Sequence, residues 1–153
     1  MSKFIDIAIN LALENIEEGG SPYGSVVVRD GEIVGSGVNT THISPDVSGH
    51  AELIAIREAQ KNLGRIDLSD CTIYASGHPC PMCFGAIMMS GIKKLVYANS
   101  LEEASEASGS TISIDIYEYL KGKRDAIGLE IKHIPIKNDE FNPMKVLTKN
   151  KER

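Results

Sequence analysis

The sequence lacks several features that would assign it at once to a class of protein. It has no tryptophan, and its apolar stretches fall short of the roughly 20 residues that a membrane-spanning helix needs. Its N-terminus carries an early acid, Asp6, and shows no signal-peptide pattern, so we expect a cytoplasmic protein without a membrane partner. Basic residues are not in excess, since 16 Lys and Arg stand against 21 Asp and Glu. Because proteins that bind nucleic acids usually present a basic face to the phosphates, a nucleic-acid partner is disfavoured.

Cysteine is also scarce, with 3 residues in a chain of 153. An odd number of cysteines without an export pattern argues against a disulfide framework. Two of them, Cys80 and Cys83, are separated by two residues. In a reducing compartment that spacing indicates metal or redox chemistry.

Hydrophobic periodicity predicts an α/β protein with a single domain over residues 1–153, because no repeat or linker divides the sequence. The Asp30-Gly31 step favours a tight turn with positive φ, which predicts a β-hairpin. Strands that alternate with helices predict a three-layer α/β/α fold around a central mixed sheet. The predicted helices cover residues 4–16, 51–63, 80–90, 117–121 and 141–150, and the predicted strands cover 25–28, 33–35, 72–75, 94–97 and 129–136.

Two short motifs, His50-Ala51-Glu52 and Cys80-Pro81-Met82-Cys83, each lie at the predicted start of a helix. Both cysteines can reach one metal ion from a first turn, where the helix N-terminus favours thiolates. His50 would complete three protein ligands, and thiolate and imidazole ligands favour zinc. Three ligands leave a fourth position for water, which is typical of catalytic zinc. From its first turn Glu52 can reach over that position and transfer protons.

Each motif taken alone has simpler interpretations. A Cys-x-x-Cys pair also occurs in redox proteins and as half of a structural zinc site. A redox pair gives His-x-Glu no role, and a structural site needs a fourth ligand, for which Cys71 is the candidate. Because Cys71 precedes a predicted strand, a buried and inert thiol is the better interpretation of it. The conjunction of the two motifs therefore favours catalysis.

A His-x-Glu motif followed by Pro-Cys-x-x-Cys is the signature of zinc nucleobase deaminases. The sequence resembles the cytidine deaminase-like superfamily over about residues 5–96. The resemblance implies a cytidine deaminase-like fold and a zinc-activated hydroxide that attacks an amino-bearing ring carbon, with ammonia leaving. The matching stretches are residues 24–28, 30–31, 37–39, Asp46, 50–52, 71–74, 79–83 and 85–87.

Within this superfamily the sequence is most similar to bacterial guanine deaminases. The resemblance implies deamination of guanine to xanthine by a homodimer whose C-terminal segment, from about residue 137, packs on the partner subunit. It also implies that Asn39 hydrogen-bonds the base and that Tyr23 and Ala51 lie at the pocket, although a turn-capping asparagine and a core tyrosine are the alternatives. The shared features are Gly19-Gly20-Ser21-Pro22-Tyr23-Gly24, Pro79-Cys80-Pro81-Met82-Cys83, the Glu-Ala spacing from Glu103 to Ala107, Ile116-Tyr117 and a short tail helix that begins with Asn-Pro.

The sequence departs from guanine deaminases around the expected pocket. His78 stands where that family has Glu, and Val47-Ser48-Gly49 precedes the histidine ligand in place of Pro-Thr-x. The family's base-recognising acid is matched only by Asp115, displaced by about two positions, where a helix cap is the simpler interpretation. His78 is a candidate substrate contact or support for a metal ligand, or else a loop residue. Such changes can redirect the specificity to another purine, pyrimidine, pterin or triazine.

Three alternative functions stay open at this point. Similar tRNA adenosine deaminases usually have valine where this chain has Tyr23, and they carry a strongly basic C-terminal helix. Cytosine deaminases normally lack an aromatic residue at that place. A zinc-stabilised interaction module without activity is disfavoured by Glu52, since a structural site has no use for a proton carrier.

Overall fold

A computed structural model describes residues 3–122 and 128–151 of the chain. Its centre is a four-stranded sheet with the strand order β2-β1-β3-β4. Strand β1 pairs antiparallel with β2 and β3, and β3 pairs parallel with β4, which confirms the predicted mixed sheet. The strands are β1 (Gly24–Arg29), β2 (Glu32–Val38), β3 (Thr72–Gly77) and β4 (Lys94–Asn99).

Helices cover both faces of this sheet, which confirms the three-layer α/β/α arrangement. On one face, the first helix buries Ile5 and Ala8 against Val26, Val28 and Tyr74 of the sheet. On the other face, the second and third helices pack against a cluster that includes Val27, Ile73 and the thiol of Cys71. The helices are α1 (Lys3–Glu17), α2 (Ala51–Leu63), α3 (Pro81–Met89), α4 (Leu101–Ser108), α5 (Ile112–Leu120) and α6 (Pro143–Lys151).

Local sequence signals account for several of these boundaries. Asp30 and Gly31 adopt φ angles of 49° and 77°, as the turn of the predicted hairpin requires. Gly64 ends α2 in the left-handed conformation with φ 66°, and its N–H donates to the carbonyl oxygen of Gln60. These predictions from the sequence are therefore confirmed.

Strand β2 approaches α2 unusually closely because glycines face the helix. A Cβ atom at Gly37 would lie 2.5 Å from the carbonyl oxygen of Ala51 and 2.9 Å from the backbone nitrogen of Ala55. A Cβ atom at Gly35 would likewise collide with the helix backbone at Ala55 and Ala59. The absence of side chains here sets the position of the first turn of α2 relative to the sheet.

The C-terminal part of the chain differs from the prediction. The strand predicted over residues 129–136 is wrong, because this stretch pairs with no other described residue and its apolar side chains stay exposed, Leu129 at 64% and Ile134 at 74%. Alternating apolar residues specify a strand only where a partner strand is available. Helix α5 begins at Ile112, not at residue 117, and α6 begins at Pro143, not at residue 141. Within residues 3–122 and 128–151, no helix combines the length and apolar character needed to cross a membrane.

Helix α4 was not predicted at all, although its start carries a clear signal. The hydroxyl of Ser100 accepts a hydrogen bond from the N–H of Glu103, and the Glu103 carboxylate accepts one from the N–H of Ser100. This reciprocal pair is a capping box, and its Ser-x-x-Glu spacing is visible in the sequence.

Candidate metal centre and cavity

Three candidate metal ligands converge because two helices begin at the same place. His50 is the residue before α2, and Cys80 is the residue before α3. Cys83 lies in the first turn of α3, and its backbone N–H donates to the sulfur of Cys80. The ligand atoms of the three residues all lie within 4.8 Å of one another. The predicted ligands are thus brought together as expected.

The spacing of these atoms fits a zinc ion. The Nδ1 atom of His50 lies 3.5 Å from the sulfur of Cys80 and 3.5 Å from the sulfur of Cys83. Zn–N bonds of about 2.0–2.1 Å and a Zn–S bond of about 2.3 Å, at a tetrahedral angle, place nitrogen and sulfur about 3.5 Å apart. Two thiolates and one imidazole are also a donor set that zinc prefers.

The electrostatics of the three ligands favour one thiolate before any metal binds. A hydrogen bond from the Cys83 thiol, joined by one from His50, lowers the pKa of Cys80 to about 4. Cys83 keeps its proton more strongly, because its hydrogen bond to Cys80 and its burial raise its pKa. The hydrogen bond to Cys80 also raises the pKa of His50. A metal must therefore displace the proton of Cys83, so metal binding depends on pH.

Glu52 lies at the metal ligands and is almost completely buried. Its side chain belongs to the first turn of α2, is 5% exposed and lines the same cavity as His50. Burial is the largest cause of the raised pKa of its carboxyl group. A carboxyl group that takes up a proton more readily than usual suits proton transfer near neutral pH.

A cavity of about 190 Å³ opens in front of the metal ligands and Glu52. No lysine or arginine is among the described residues that line it, and Glu52 is their only carboxylate. The lining includes the predicted contacts Tyr23, Asn39 and His78. The far wall is formed by Leu101, Ala104, Ser105, Ser108, Ser110, Ile112, Ser113 and Ile114, from α4, α5 and the turn between them.

Tyr23 and Asn39 lie side by side at the cavity. The ring of Tyr23 packs against Gly77, where an added Cβ atom would lie 3.3 Å from Cε1 of the tyrosine. Burial, aided by the nearby Glu52, raises the pKa of Tyr23, so its hydroxyl stays protonated. Asn39 is 5% exposed, and its backbone N–H donates to the carbonyl oxygen of Tyr23.

His78 lies in an aromatic cluster at the edge of the cavity. Its ring stacks on Phe84 at a centroid distance of 6.3 Å and meets Tyr97 edge-on at 4.8 Å. Its Nδ1 atom is 2.9 Å from the carbonyl oxygen of Pro79, the residue before Cys80. The hydroxyl of Tyr117 donates to the same oxygen at 2.7 Å. Two side chains therefore hold the loop that carries a metal ligand.

The structure does not bring the remaining two predicted contacts to the described lining of the cavity. The carboxylate of Asp115 accepts a hydrogen bond from the hydroxyl of Thr111 at 2.9 Å. Asp115 lies within the first turn of α5 and is not its cap, since Thr111 is the N-cap residue. Ala51 is fully buried under Gly37 and offers only its backbone between His50 and Glu52.

Sequence reasoning missed two parts of the site. One is the hydrogen bond from Tyr117 to Pro79, which spans 38 residues and leaves no local signal, although Ile116-Tyr117 was recognised as a shared feature. The other is the set of serines on the far wall. They are Ser105, Ser108, Ser110 and Ser113, and the three-residue spacing of the first two on a helix was the available clue.

Comparisons with known proteins agree with this geometry. Residues 1–99 match the family described as "Cytidine and deoxycytidylate deaminase zinc-binding region". Guanine deaminase from Bacillus subtilis (strain 168) is 45% identical over 105 residues, which cover 68% of this chain and 67% of that protein. A tRNA-specific adenosine deaminase from Buchnera aphidicola subsp. Schizaphis graminum is 38% identical over 102 residues, 67% of this chain and 68% of its own length. The X-ray structure of guanine deaminase from Bacillus subtilis superimposes with a TM-score of 0.87 and 34% identity, covering 97% of this chain and 95% of that one.

Proposed function

The chain belongs to the cytidine and deoxycytidylate deaminase zinc-binding family, and from that premise we propose that it converts guanine to xanthine and ammonia. It is a zinc-dependent aminohydrolase with the cytidine deaminase-like fold. The observation that carries the choice of guanine is the extent of the structural similarity. The similarity to guanine deaminase covers 97% of the chain and so includes α4 and α5, which form the far wall of the cavity.

The proposed reaction replaces the amino group of the ring by oxygen. When bound by His50, Cys80 and Cys83, zinc supplies a Lewis acid that lowers the pKa of water and makes a nucleophile available at neutral pH. Glu52 takes a proton from the water and delivers it to a ring nitrogen. The oxygen of the water bonds to C2 of guanine and the bond between C2 and the amino nitrogen breaks. Glu52 then carries the second proton of the water from the new oxygen on C2 to the departing amine, which leaves as ammonia.

The dimensions and charge of the cavity favour a free base over a nucleotide. Its volume of about 190 Å³ lies below the range of about 300–1,000 Å³ that is usual for larger ligands. The described lining offers no cation for a phosphate group. Tyr23, Asn39 and His78 are the proposed side-chain contacts of the ring.

Deamination of an adenosine in tRNA is the second candidate, supported by the relative from Buchnera aphidicola. The net charge of −5 weighs against it, because counterion release from phosphates supplies most affinity for RNA. Gel-shift titration with total tRNA at moderate salt separates the two candidates. Guanine deamination predicts no shift, whereas a dissociation constant below about 1 μM would favour the tRNA function.

We also propose that residues 1–153 form one deaminase unit that works as a cytoplasmic homodimer. Free thiolate ligands need a reducing compartment, and the described cysteines form no disulfide.

Exposed apolar side chains on the C-terminal segment support packing of residues from about 137 onward against a partner subunit. Phe141, Met144 and Leu147 are 78%, 66% and 48% exposed. Sedimentation velocity at micromolar concentration tests the dimer, and a purely monomeric boundary would contradict it.

The test of the activity is ammonia release by the zinc-loaded protein. The panel holds guanine, adenine, cytosine, their nucleosides, pterins and aminotriazines, with the Glu52→Gln variant as the control. Release from guanine, abolished in the variant, is the expected result. If ammonia is released from another ring and not from guanine, the deaminase activity is upheld and the proposed substrate is wrong.

A further inference from the structure

Tyr23 and Asn39 form the first residue pair beyond the end of the β1–β2 ladder. The last pair within the ladder is Gly24 and Val38. One hydrogen bond continues the ladder, from the N–H of Asn39 to the carbonyl oxygen of Tyr23 at 3.2 Å. Hydrogen-bonded structure opens most easily at such ends. Because both residues line the cavity, its shape depends on what holds this end of the sheet together.

Asn15, in the last turn of α1, holds this end of the sheet. Its side-chain NH₂ group donates to the carbonyl oxygen of Asn39 at 2.9 Å and to the carbonyl oxygen of Ser21 at 2.8 Å. Both hydrogens of the amide are therefore used. Ser21 also accepts a hydrogen bond of 2.8 Å from the N–H of Tyr23. Four hydrogen bonds thus join Asn15, Ser21, Tyr23 and Asn39 into one closed network.

The burial of Asn15 shows that this amide has a specific use. The residue is 2% exposed, although asparagine is a poor helix former. Burying an amide costs free energy unless its hydrogen bonds are made, and an apolar side chain would fill the same space without that cost. Asn15 is not among the described residues that line the cavity, so it can act on the substrate ring only through other residues.

Gly20 allows the loop after α1 to pass directly over the Asn15 amide. A Cβ atom at position 20 would collide with Nδ2 of Asn15 and lie 2.7 Å from its Cγ. It would also lie 2.6 Å from Cε1 of His42, but that side chain is exposed and can move aside. The φ angle of Gly20 is outside the left-handed region, so the backbone itself does not require glycine. Gly20→Ala therefore acts mainly by displacing the Asn15 amide.

We propose that Asn15 is a positioning residue that sets how Tyr23 and Asn39 meet the substrate ring. This inference rests on the proposed function only in requiring that the ring binds against these two residues. None of the described hydrogen bonds of the Asn15 side chain reaches α2 or α3, which carry the proton carrier and the metal ligands. Loss of the amide should therefore weaken binding of the ring more than it slows the chemical step.

Steady-state kinetics of the zinc-loaded, full-length protein test the inference. The substrate is guanine or, if guanine is inert, the ring of the panel that releases ammonia. Asn15→Ala removes the amide, and Asn15→Asp keeps its volume but puts acceptors in place of the donors. Each should raise KM at least about tenfold, the usual size of one buried hydrogen bond, and lower kcat less than about threefold. A wild-type KM in Asn15→Asp would show that only the volume matters and would overturn the inference.

Gly20→Ala gives a second test that leaves Asn15 in the chain. Alone it should raise KM, because the new methyl group displaces the amide. Added to Asn15→Ala it should change KM less than about twofold, because the colliding atoms are gone. Independent effects that multiply in the double variant would contradict the proposal.

Asn62→Ala is the matched control. It also removes a hydrogen bond from a helix side-chain amide to β2, in this case to the carbonyl oxygen of Val34 at 2.8 Å. Asn62 and Val34 are not among the described residues that line the cavity, so KM should stay at the wild-type value. Equal increases of KM in Asn15→Ala and Asn62→Ala would refute a specific role for Asn15.

Amide hydrogen exchange without any ligand separates this inference from the proposed function. In Asn15→Ala the backbone N–H of Asn39 should exchange faster, while the amides within β3 exchange as in the wild type. Unchanged exchange at Asn39 would refute the role of Asn15 whichever ring is deaminated. Failure of guanine in the ammonia assay, with faster exchange present, would refute only the proposed substrate.

Discussion

The hydroxyl of Tyr117 donates a 2.7 Å hydrogen bond to the carbonyl oxygen of Pro79, the residue immediately before Cys80. Tyr117 belongs to α5, which closes the cavity on the side opposite the metal ligands. Burial raises the pKa of Tyr117 to about 12, so the phenol remains a donor throughout the physiological range. This hydrogen bond connects α5, which lines the cavity, to the loop that carries the metal ligand Cys80.

Tyr117→Phe removes this hydrogen bond but keeps the aromatic ring of residue 117 in place. Loss of one hydrogen bond should lower the free energy of unfolding by about 1 kcal/mol, measured with urea. KM should rise a few-fold with the zinc content unchanged, because α5 is no longer hydrogen-bonded to the loop that carries Cys80. Tyr97→Phe is the matched control, since the rings of Tyr97 and Tyr117 both meet His78 edge-on. Equal effects of both substitutions would contradict a specific role for the Tyr117 hydroxyl.

Glu52→Gln is expected to abolish turnover without removing the metal. The amide occupies the same volume as the carboxyl group but cannot carry protons, and general acid–base catalysis typically supplies a factor of about 10²–10⁴ in rate. Ammonia release and zinc content should be measured on the same preparation. A variant that keeps more than about a tenth of the wild-type rate would show that another group moves the protons.

Cys83→Ala and Cys71→Ala should separate the metal ligand from the structural thiol. Cys83→Ala removes one of three ligands, so the dialysed protein should contain little zinc. Cys71 lies in the core with a pKa that burial raises to about 11, so its replacement should leave the zinc content unchanged and cost only packing energy. Elemental analysis per mole of protein measures both. Zinc loss in Cys71→Ala would mean that Cys71 is a fourth ligand of the metal.

Asp70→Asn should make the protein less stable at neutral pH but not in acid. Arg65 donates hydrogen bonds of 2.9 and 3.0 Å to the Asp70 carboxylate and, as the main cause, lowers its pKa from 3.8 to about 2. A carboxyl group with a depressed pKa in the folded state stabilises the protein above its unfolded-state pKa. This contribution is lost as the pH falls from about 4 through 2.

Urea unfolding of both proteins between pH 7 and pH 2 measures the effect. The difference between wild type and Asp70→Asn should shrink over the acid part of the series. Protonation of the zinc ligands affects both proteins alike and cancels in the difference. A difference that stays constant down to pH 2 would show that the ion pairs of Asp70 with Arg65 and Arg29 do not stabilise the fold.

The parts of the structure that follow local rules could be predicted from the sequence. Asp30-Gly31 determines a turn through backbone sterics alone, and Gly64 ends α2 for the same reason. His50, Cys80 and Cys83 were identifiable because both motifs open helices, which places their side chains at one point. In these cases the information lies within a few consecutive residues.

The parts that depend on distant contacts could not be predicted. The alternation of Leu129, Ile131 and Ile134 is typical of a strand, but whether a strand forms depends on a partner that local sequence does not reveal. The far wall of the cavity could not be predicted for a related reason. Periodicity detects helices by their buried faces, and neither α4 nor α5 has a buried residue.

That last property has a consequence for how the protein can change. Because the far wall contributes nothing to the buried core, substitutions along residues 101–114 should be tolerated by folding far better than changes near Gly37, where β2 touches α2. Mutation, natural or in a designed library, can therefore alter the choice of ring independently of the reaction performed on it. The same metal centre can therefore act on different rings, depending on the residues of the far wall.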